Sequence, residues 1–206
     1  MVISALKQQQ KDPNRVSVYV DGKYSFSLTL DQVVELRIRA GQEVDKSSIE
    51  HFTMLSYAEK LRLKALNWIT LRPRAFRELD EYLYRQKRVY TMLEPSAFAE
   101  VREYVRKKGW VDDRRYAEWS VARRSRMRKS THFLRAELSS KGVPRDVVAD
   151  VLSSRTDTEA LRIEVEKLRS RGRQMEREVM IRRLMAKGYR YSAVVDALDG
   201  VEDNEF

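Results

Sequence analysis

The sequence predicts a mainly α-helical protein, in which tandem three-helix repeats stack into a curved, elongated rod behind a small N-terminal region that contains a β-hairpin. Three observations lead to this fold class. Alternation of apolar and polar residues with period two is confined to about the first 50 residues. Beyond them, helical patterns are separated by glycine, proline and serine, and some patterns recur at a constant spacing. Charged residues make up 35% of the chain, above the roughly 25% of typical soluble proteins, which favours much exposed surface.

The N-terminal region contains two alternating segments that flank Asp21-Gly22, a sequence typical of hairpin turns. The two segments are residues 16–20 and 24–28. A two-residue loop would place Val18 opposite Ser25 and would mix apolar with polar side chains on one face. We therefore predict a three-residue loop, residues 20–22, in which Gly22 is left-handed and Val18 lies against Tyr24.

Helical patterns account for the rest of the chain. A short helix is predicted from about residue 31 to 39, and a longer one starts at Asp45 and continues toward Ile69. Later helices are separated by candidate boundaries at Pro73, Pro95, Gly109, Ser130, Gly142, Pro144, Gly172 and Gly188. Thr156 and Glu159 fit a capping box at the start of another helix. The predicted segments are residues 1–50, then repeats at 51–110, 111–154 and 155–206, the last with an acidic tail.

An internal repeat is the most informative feature of the helical part. The pattern Lys-Gly, Val, Asp and Leu at positions 141–152 recurs 46 residues later at positions 187–198. A looser earlier copy places Leu79 and Leu83 where Leu134 and Leu138 stand in the second copy. A single three-helix unit cannot bury its apolar stripe alone, so we expect the copies to stack.

The junction between the first two repeats lies at residues 108–118. Gly109 is expected to end one helix in the left-handed conformation, and Asp112 to accept amide protons of the next. Asp113 adds negative charge at the positive helix N-terminus. The helix that follows should run from about Asp113 to Met127, so the junction is interpreted as structural and not as a reaction centre.

A basic cluster follows this junction, and it is the candidate binding site. Net charge is +10, which favours anionic partners such as nucleic acid or an acidic protein surface. Only Glu118 and Glu137 interrupt the basic residues between positions 114 and 145. The alternative is a solvated face in which Arg114 or Arg115 pairs with Glu118 at helical spacing. The candidate residues for binding a partner or anion are Arg114, Arg115, Arg123, Arg124, Arg126, Arg128, Lys129 and Arg135.

Other polar and aromatic groups are assigned structural roles. A second basic group in the third repeat is mixed with glutamates and is interpreted as solvated, with a contact role kept open for residues 169–173. Basic residues 60–77 are intermediate. The aromatic residues stand at helical spacing among Leu and Val, which favours core packing, and only Trp119, near the arginines, is left open.

Neither catalysis nor a metal site finds support in the sequence. His51 and His132 are far apart and lack a second ligand at metal-binding spacing. Asp112-Asp113 precedes a helix, so capping is a stronger account than magnesium binding. Motifs of phosphate loops, nucleophile elbows and dinucleotide sites are missing. We predict that the protein is not an enzyme and uses no cofactor.

The composition also favours a cytoplasmic location. The chain contains no cysteine, which suits a reducing compartment. Neither a signal peptide nor an apolar run of roughly eighteen residues that could span a membrane is found. We expect a cytoplasmic monomer without membrane contacts.

The segment from Gly109 to Ala117 resembles the signature of the RecX regulatory family, as do the turn from Glu137 to Gly142, the hairpin and the helical repeats. This resemblance implies binding along the groove of RecA recombinase filaments. It further implies reduced filament growth, ATP hydrolysis and strand exchange in recombination, repair and the SOS response, and weak binding to single- or double-stranded DNA. The chain departs from the family pattern at residues 84–88, where Lys-Gly is usual, and before Lys187.

The competing classes are a sequence-independent DNA-binding helical module and an inert helical scaffold. The first would depend on phosphate contacts alone, with affinity that falls steeply as salt rises. The family motif does not mark the arginines as contact residues, so their assignment rests on charge.

Overall fold

The computed structural model describes residues 1–170 and 175–200, and in these residues the chain is mainly helical with a small N-terminal sheet, as predicted. The described elements are β1 (Ile3–Gln8), β2 (Arg15–Val20), β3 (Lys23–Thr29), α1 (Leu30–Glu35), α2 (Lys46–Thr70), α3 (Phe76–Gln86), α4 (Pro95–Lys107), α5 (Asp113–Ser125), α6 (Thr131–Ser140), α7 (Arg145–Leu152), α8 (Thr158–Arg169), α9 (Arg177–Met185) and α10 (Tyr191–Asp199). The predicted boundary at Gly172, the candidate contacts Arg171 and Arg173, and tail residues 201–206 lie outside the described residues.

Two compact units make up the described chain. Unit 1 consists of Met1–Leu71 with Asp80–Lys108, and unit 2 of Arg72–Leu79 with the described part of Gly109–Phe206. The four sequence segments proposed above remain a prediction.

The sheet of unit 1 has the antiparallel order β1-β2-β3. Strand β1 was not predicted, because its residues do not alternate and its extended form depends on pairing with β2. The predicted three-residue loop is wrong: Asp21 and Gly22 both have positive φ (48° and 79°) and form a two-residue loop that pairs Val20 with Lys23. Such primed turns match the twist of the strands that they join.

A bulge in β3 resolves the mismatch that argued against the short loop. Tyr19 pairs with Tyr24, whereas Val18 pairs with Phe26, so Ser25 is the extra residue. One shift of register therefore returns the apolar residues of β2 and β3 to a common face. Val18 and Phe26 are buried there in the core of unit 1, together with Ile3, Val20, Leu28 and Ile38.

Helix α1 is shorter than the predicted helix from 31 to 39. Its end is a Schellman motif, in which the amide of Ile38 donates to the carbonyl of Val33 and that of Arg37 to Val34. Arg37 takes the left-handed position (φ 51°) that glycine usually occupies, so the sequence carried no glycine signal there. Helix α2 begins directly after Asp45, where its start was predicted, and the Asp45 carboxylate accepts from the amide of Ser48.

The helices of unit 2 confirm the helical repeat. Helices α5, α6 and α7 enclose one apolar cluster, and α8, α9 and α10 enclose another. Gly142 and Gly188 both have positive φ (75° and 90°) and end α6 and α9. The residues that follow these glycines, Val143 and Tyr189, are buried and donate their amides back to Leu138 and Leu184. The 46-residue shift thus joins positions with the same backbone and core roles.

Caps within unit 2 are partly local and partly contributed from far along the chain. Asp112, predicted as a cap, and Ser130, predicted as a helix boundary, both accept from the amide three residues further along the chain. The predicted Thr156 capping box is wrong, because α8 follows Asp157, whose carboxylate instead accepts from the amide of Thr131 at 2.9 Å. Asp113 is committed in the same way, since it accepts from the amide of Phe76 at 2.9 Å.

Candidate partner-binding surface

The predicted cluster begins at the junction that precedes α5. Gly109 is left-handed (φ 62°), and Oδ1 of Asp112 accepts from the amide of Arg115 at 2.9 Å, as predicted. The Arg115 guanidinium donates to the carbonyl of Trp110 at 2.8 Å and to that of Gly109 at 3.4 Å. These carbonyls lie just beyond the end of α4. The Arg115 side chain thus satisfies backbone acceptors of the turn, and part of its hydrogen-bonding capacity is used within the fold.

Arg114 forms an ion pair with Asp150 of α7, not with Glu118. Both side chains are more than half exposed, and the hydrogen bond that Arg114 donates to Asp150 raises the pKa of the Arg114 guanidinium. Exposed pairs of this kind contribute little to stability. Arg114 therefore remains accessible, although its charge is locally balanced by a carboxylate from 36 residues along the chain.

Arg124 joins α5 to α6 through Glu137. The guanidinium binds the carboxylate at two points, with Nε to Oε2 at 2.9 Å and Nη2 to Oε1 at 2.5 Å. The side chains are 28% and 18% exposed, and the hydrogen bonds that Arg124 donates to Glu137 raise the pKa of the Arg124 guanidinium. This half-buried fork is a structural contact, so Arg124 presents little free charge to a partner.

Arg128 is held inside a polar seam between the second and third repeats. Its Nη1 donates to Oε1 of Glu164 at 2.9 Å, and Glu164 also accepts from Nζ of Lys187. Glu164 is buried, and burial raises its pKa, but the hydrogen bonds from Lys187 and Arg128 outweigh burial and lower it overall. Arg128 itself is left-handed (φ 49°), in a Schellman motif that ends α5.

Backbone contacts complete this seam. Ser130 donates its amide to the carbonyl of Lys187 at 3.1 Å and its hydroxyl to that of Gly188 at 2.6 Å. The Tyr189 hydroxyl donates to the carbonyl of Arg128 at 2.9 Å, and burial raises the pKa of Tyr189 to about 12. Nζ of Lys129 donates to the carbonyl of Ala186 at 3.3 Å. Like Arg128, Lys129 therefore serves the fold.

Three of the predicted residues differ from these, namely Arg123, Arg126 and Arg135. All three are exposed, and no described carboxylate forms an ion pair with any of them. Arg123 lies over the ring of Trp119, 5.4 Å from its centroid, and Arg126 follows one helical turn later. Arg135 lies on α6. Guanidinium groups left in this state can bind phosphate or carboxylate oxygens with two parallel hydrogen bonds.

Trp119, whose role the sequence left open, is half-buried against the core of unit 2. Its ring lies 6.0 Å from that of Tyr116 and carries two guanidinium groups, Arg123 and Arg72, the latter at 5.0 Å. Arg72 also binds Glu78, with Nη2 to Oε1 at 2.8 Å. The ring thus packs in the core and supports the cations beside it.

Two arginines outside the eight predicted site residues shape this surface: Arg72, from the basic group at residues 60–77 interpreted as intermediate, and Arg155, which was not predicted to contribute. Arg155 donates to the hydroxyl of Ser125 and, at 2.9 Å, to the carbonyl of Lys129, and so supports the end of α5. Arg155 contacts residues 26 and 30 positions away, and Arg72 reaches Trp119 on α5, so no local pattern marks these two contacts. Asp150, the partner of Arg114, did carry a signal, since it belongs to the repeated pattern.

Among the residues that the structure describes, no group of histidine, cysteine, aspartate or glutamate side chains is arranged to hold a metal ion. His132 is exposed near the start of α6, and His51 lies beside the ring of Phe52. None of the helices in the described ranges combines the length and apolar character needed to cross a membrane.

Comparison with protein families gives two matches along this chain. Residues 1–45 match the regulatory protein RecX N-terminal domain, and residues 112–152 match the RecX second three-helix domain. The second match coincides with α5, α6 and α7. All eight predicted site residues lie on α5, on α6 or in the turn between these two helices.

Individual relatives extend the similarity over most of the chain. The regulatory protein RecX of Bacillus subtilis is 24% identical over 97% of this chain and 77% of its own length, and that of Bacillus pumilus is 26% identical over 98% and 80%. The Listeria welshimeri protein of the same name is 25% identical over 78% of this chain, which spans 58% of that protein, less than two-thirds of its length.

Two solved structures share the fold. A crystal structure of regulatory protein RecX matches with a TM-score of 0.65 at 21% identity, over 96% of this chain and 98% of the other. The RecX structure from Lactobacillus salivarius matches with a TM-score of 0.55 at 19% identity, over 70% and 96%.

Proposed function

The chain belongs to the RecX family of regulatory proteins, and from this premise we propose that it binds RecA recombinase filaments and inhibits their ATP hydrolysis, growth and strand exchange in DNA recombination and repair. The observation that carries the proposal is the set of exposed arginines without carboxylate partners among the described residues, Arg123, Arg126 and Arg135. They stand in the three-helix unit that matches the family.

We propose a smaller contact surface than the eight predicted residues, limited to those whose charge is not engaged by a described partner. Arg124, Arg128 and Lys129 are engaged in holding helices or repeats together, whereas Arg114 and Arg115 have exposed or backbone partners. We expect contact with an anionic filament to centre on the three exposed arginines. Arg114 can join them by giving up its exposed ion pair with Asp150 for an anionic group of the filament.

RecA ATP hydrolysis on single-stranded DNA, titrated with this protein at fixed salt, tests the proposal. The DNA is kept in excess over what the protein can cover alone. We expect inhibition when protein is substoichiometric to RecA. Inhibition that appears only at DNA-saturating protein, and is relieved by more DNA, would contradict action on the filament.

A matched pair of variants tests the surface. The double variant Arg126→Glu/Arg135→Glu should inhibit about tenfold less effectively, because two attractive charges become repulsive. Arg182→Glu/Arg183→Glu makes the same charge change at exposed positions of the third repeat and should inhibit like the wild type. If both doubles match the wild type, or both lose inhibition equally, these arginines are not the contact surface.

The second candidate is a sequence-independent DNA-binding module, which is favoured by the same guanidinium groups that lack a carboxylate partner among the described residues. Fluorescence anisotropy with labelled single-stranded DNA, without RecA, would then show log affinity that falls by about 0.7 per log unit of salt for each phosphate neutralised. Arg126→Glu should reduce that slope by about one phosphate. Filament inhibition that persists in a variant without DNA binding would favour the first candidate.

A further inference from the structure

An open cleft of about 540 Å³ lies in unit 1, lined by strands β2 and β3, by helix α2 and by the segment after α3. Its volume falls in the range of small-molecule sites. Three cationic side chains line it, and none of the described lining residues is aspartate or glutamate. The cations are Arg15, Lys60 and Lys64, and three tyrosines, Tyr24, Tyr57 and Tyr90, lie among them.

Arg15 is the least usual of these groups, because its side chain belongs to a residue only 6% exposed. Nη2 donates to the carbonyl of Ser27 at 3.2 Å and to its hydroxyl at 2.8 Å. No carboxylate among the described residues forms an ion pair with it. Buried charges are normally paired, so a buried guanidinium at the wall of an open cleft indicates a site for an anion.

The two lysines of the cleft reinforce this charge. Nζ of Lys60 lies 5.2 Å from the ring centroid of Tyr57, and Nζ of Lys64 lies 5.4 Å from that of Tyr90. Neither lysine has an ion pair with a described residue. They stand one helical turn apart on α2, so both ammonium groups serve the same side of that helix.

Aromatic surface accompanies the cations. Tyr24 is 53% exposed, although its ring packs edge-on against Tyr19 at a centroid distance of 6.1 Å, and Val89, which also lines the cleft, is 63% exposed. The hydroxyls of Tyr24, Tyr57 and Tyr90 make no hydrogen bond to the described residues, which leaves them able to donate. Flat apolar surface next to cations that have no ion pair within the described part of the chain fits a ligand with an aromatic ring and a phosphate.

We propose that this cleft binds a nucleotide, with its phosphate held by Arg15, Lys60 and Lys64 and its base against the exposed ring of Tyr24. A free nucleotide and a unit of a single strand share this chemistry. The inference concerns unit 1 and does not rest on the proposed filament binding, which concerns arginines of unit 2.

Binding of two labelled probes to the full chain, in the absence of RecA, tests the proposal. One probe is a fluorescent ADP and the other is a four-nucleotide thymidine strand, short enough to limit contacts elsewhere. Binding that the Arg126→Glu/Arg135→Glu variant leaves unchanged supports the site, and the probe that binds more tightly identifies the ligand. Binding that is lost in that variant belongs to the arginines of unit 2 and overturns the proposal. No binding of either probe overturns it, as does equal binding of a tetraglutamate peptide, which would make the cleft a general anion site.

Variants of exposed cleft residues locate the binding. Lys64→Glu should weaken binding roughly tenfold, and Tyr24→Ala at least about fivefold through lost stacking. Lys46→Glu is the matched control, because it makes the same charge change on α2 at a side chain 86% exposed and outside the cleft. If Lys46→Glu weakens binding as much as Lys64→Glu, or neither variant has an effect, the cleft is not the site.

Discussion

Replacement of Glu164 by glutamine tests the account of the polar seam. The change keeps the shape of the side chain but removes the charge that Arg128 and Lys187 share. Loss of one partner of a buried ion pair costs about 3–5 kcal/mol. The side chains of Arg128 and Lys187 are still 35% and 29% exposed, so water can solvate them in part. We therefore expect a loss of about 2–3 kcal/mol in the free energy of unfolding.

Thermal denaturation followed by circular dichroism measures this loss, which should lower Tm by roughly 4–12 °C at pH 7. Glu166→Gln is the matched control, since it makes the same change two residues along α8 at a side chain 53% exposed and paired with Arg162 at 3.5 Å. An exposed pair contributes about 0–1 kcal/mol, so the control should shift Tm little.

The pH dependence gives a second test of the same variant. Because the folded pKa of Glu164 lies below its ordinary value of 4.5, its carboxylate stabilises the fold above that value, and the contribution fades as pH falls through the folded pKa. The Tm difference between wild type and Glu164→Gln should be constant from pH 6 to 8 and should shrink in acid below about pH 4.5. A Glu164→Gln variant no less stable than Glu166→Gln, or a difference that grows in acid, would refute the reasoning.

Two further predictions concern neighbouring positions. Gly188→Ala should cost about 2–4 kcal/mol, because its Cβ would lie 2.6 Å from Cβ of Phe133 and φ is +90°; Gly109→Ala, with open space and φ +62°, should cost only about 1–2 kcal/mol by the same melting assay. Tyr189→Phe should cost about 1 kcal/mol through the lost bond to the carbonyl of Arg128 and should remove the phenol that titrates near pH 12 in an absorbance titration. Since that pKa is raised, the contribution of Tyr189 holds below about pH 10 and is lost as pH rises toward 12.

Each of these two predictions has an outcome that would contradict it. Equal destabilisation by alanine at Gly188 and Gly109 would mean that the contact with Phe133 relaxes without cost. An unchanged alkaline titration in Tyr189→Phe would mean that the late-titrating phenol belongs to another tyrosine.

Local chemistry made much of the fold predictable. Asp45, Asp112 and Ser130 cap helices that begin at the next residue. The hairpin turn lies at Asp21-Gly22, the position that these two turn-forming residues indicate. These features depend on a few adjacent residues, so a single sequence contains the information that specifies them.

Features that depend on distant partners were not predictable in this way. The bulge at Ser25 depends on the apolar core that packs on one face of the sheet. Asp113 and Asp157 accept hydrogen bonds from backbone amides that lie 37 and 26 residues away in the sequence. The basic cluster shows the same limit. Its composition indicated a charged surface, but only the fold separates Arg124, bound to Glu137, from Arg126, which has no described carboxylate partner.

The seam between the second and third repeats also has a consequence for how the chain opens. The amide of Ser130 donates to Lys187 and not within its own repeat, so its proton can exchange with solvent only when the third repeat separates or unfolds. Slow exchange at Ser130 would thus report the integrity of residues nearly 60 positions away. The second and third repeats are similar in sequence, but this hydrogen bond is specific to their contact. Deletion or duplication of either repeat would therefore leave polar backbone groups of the other repeat without hydrogen-bond partners.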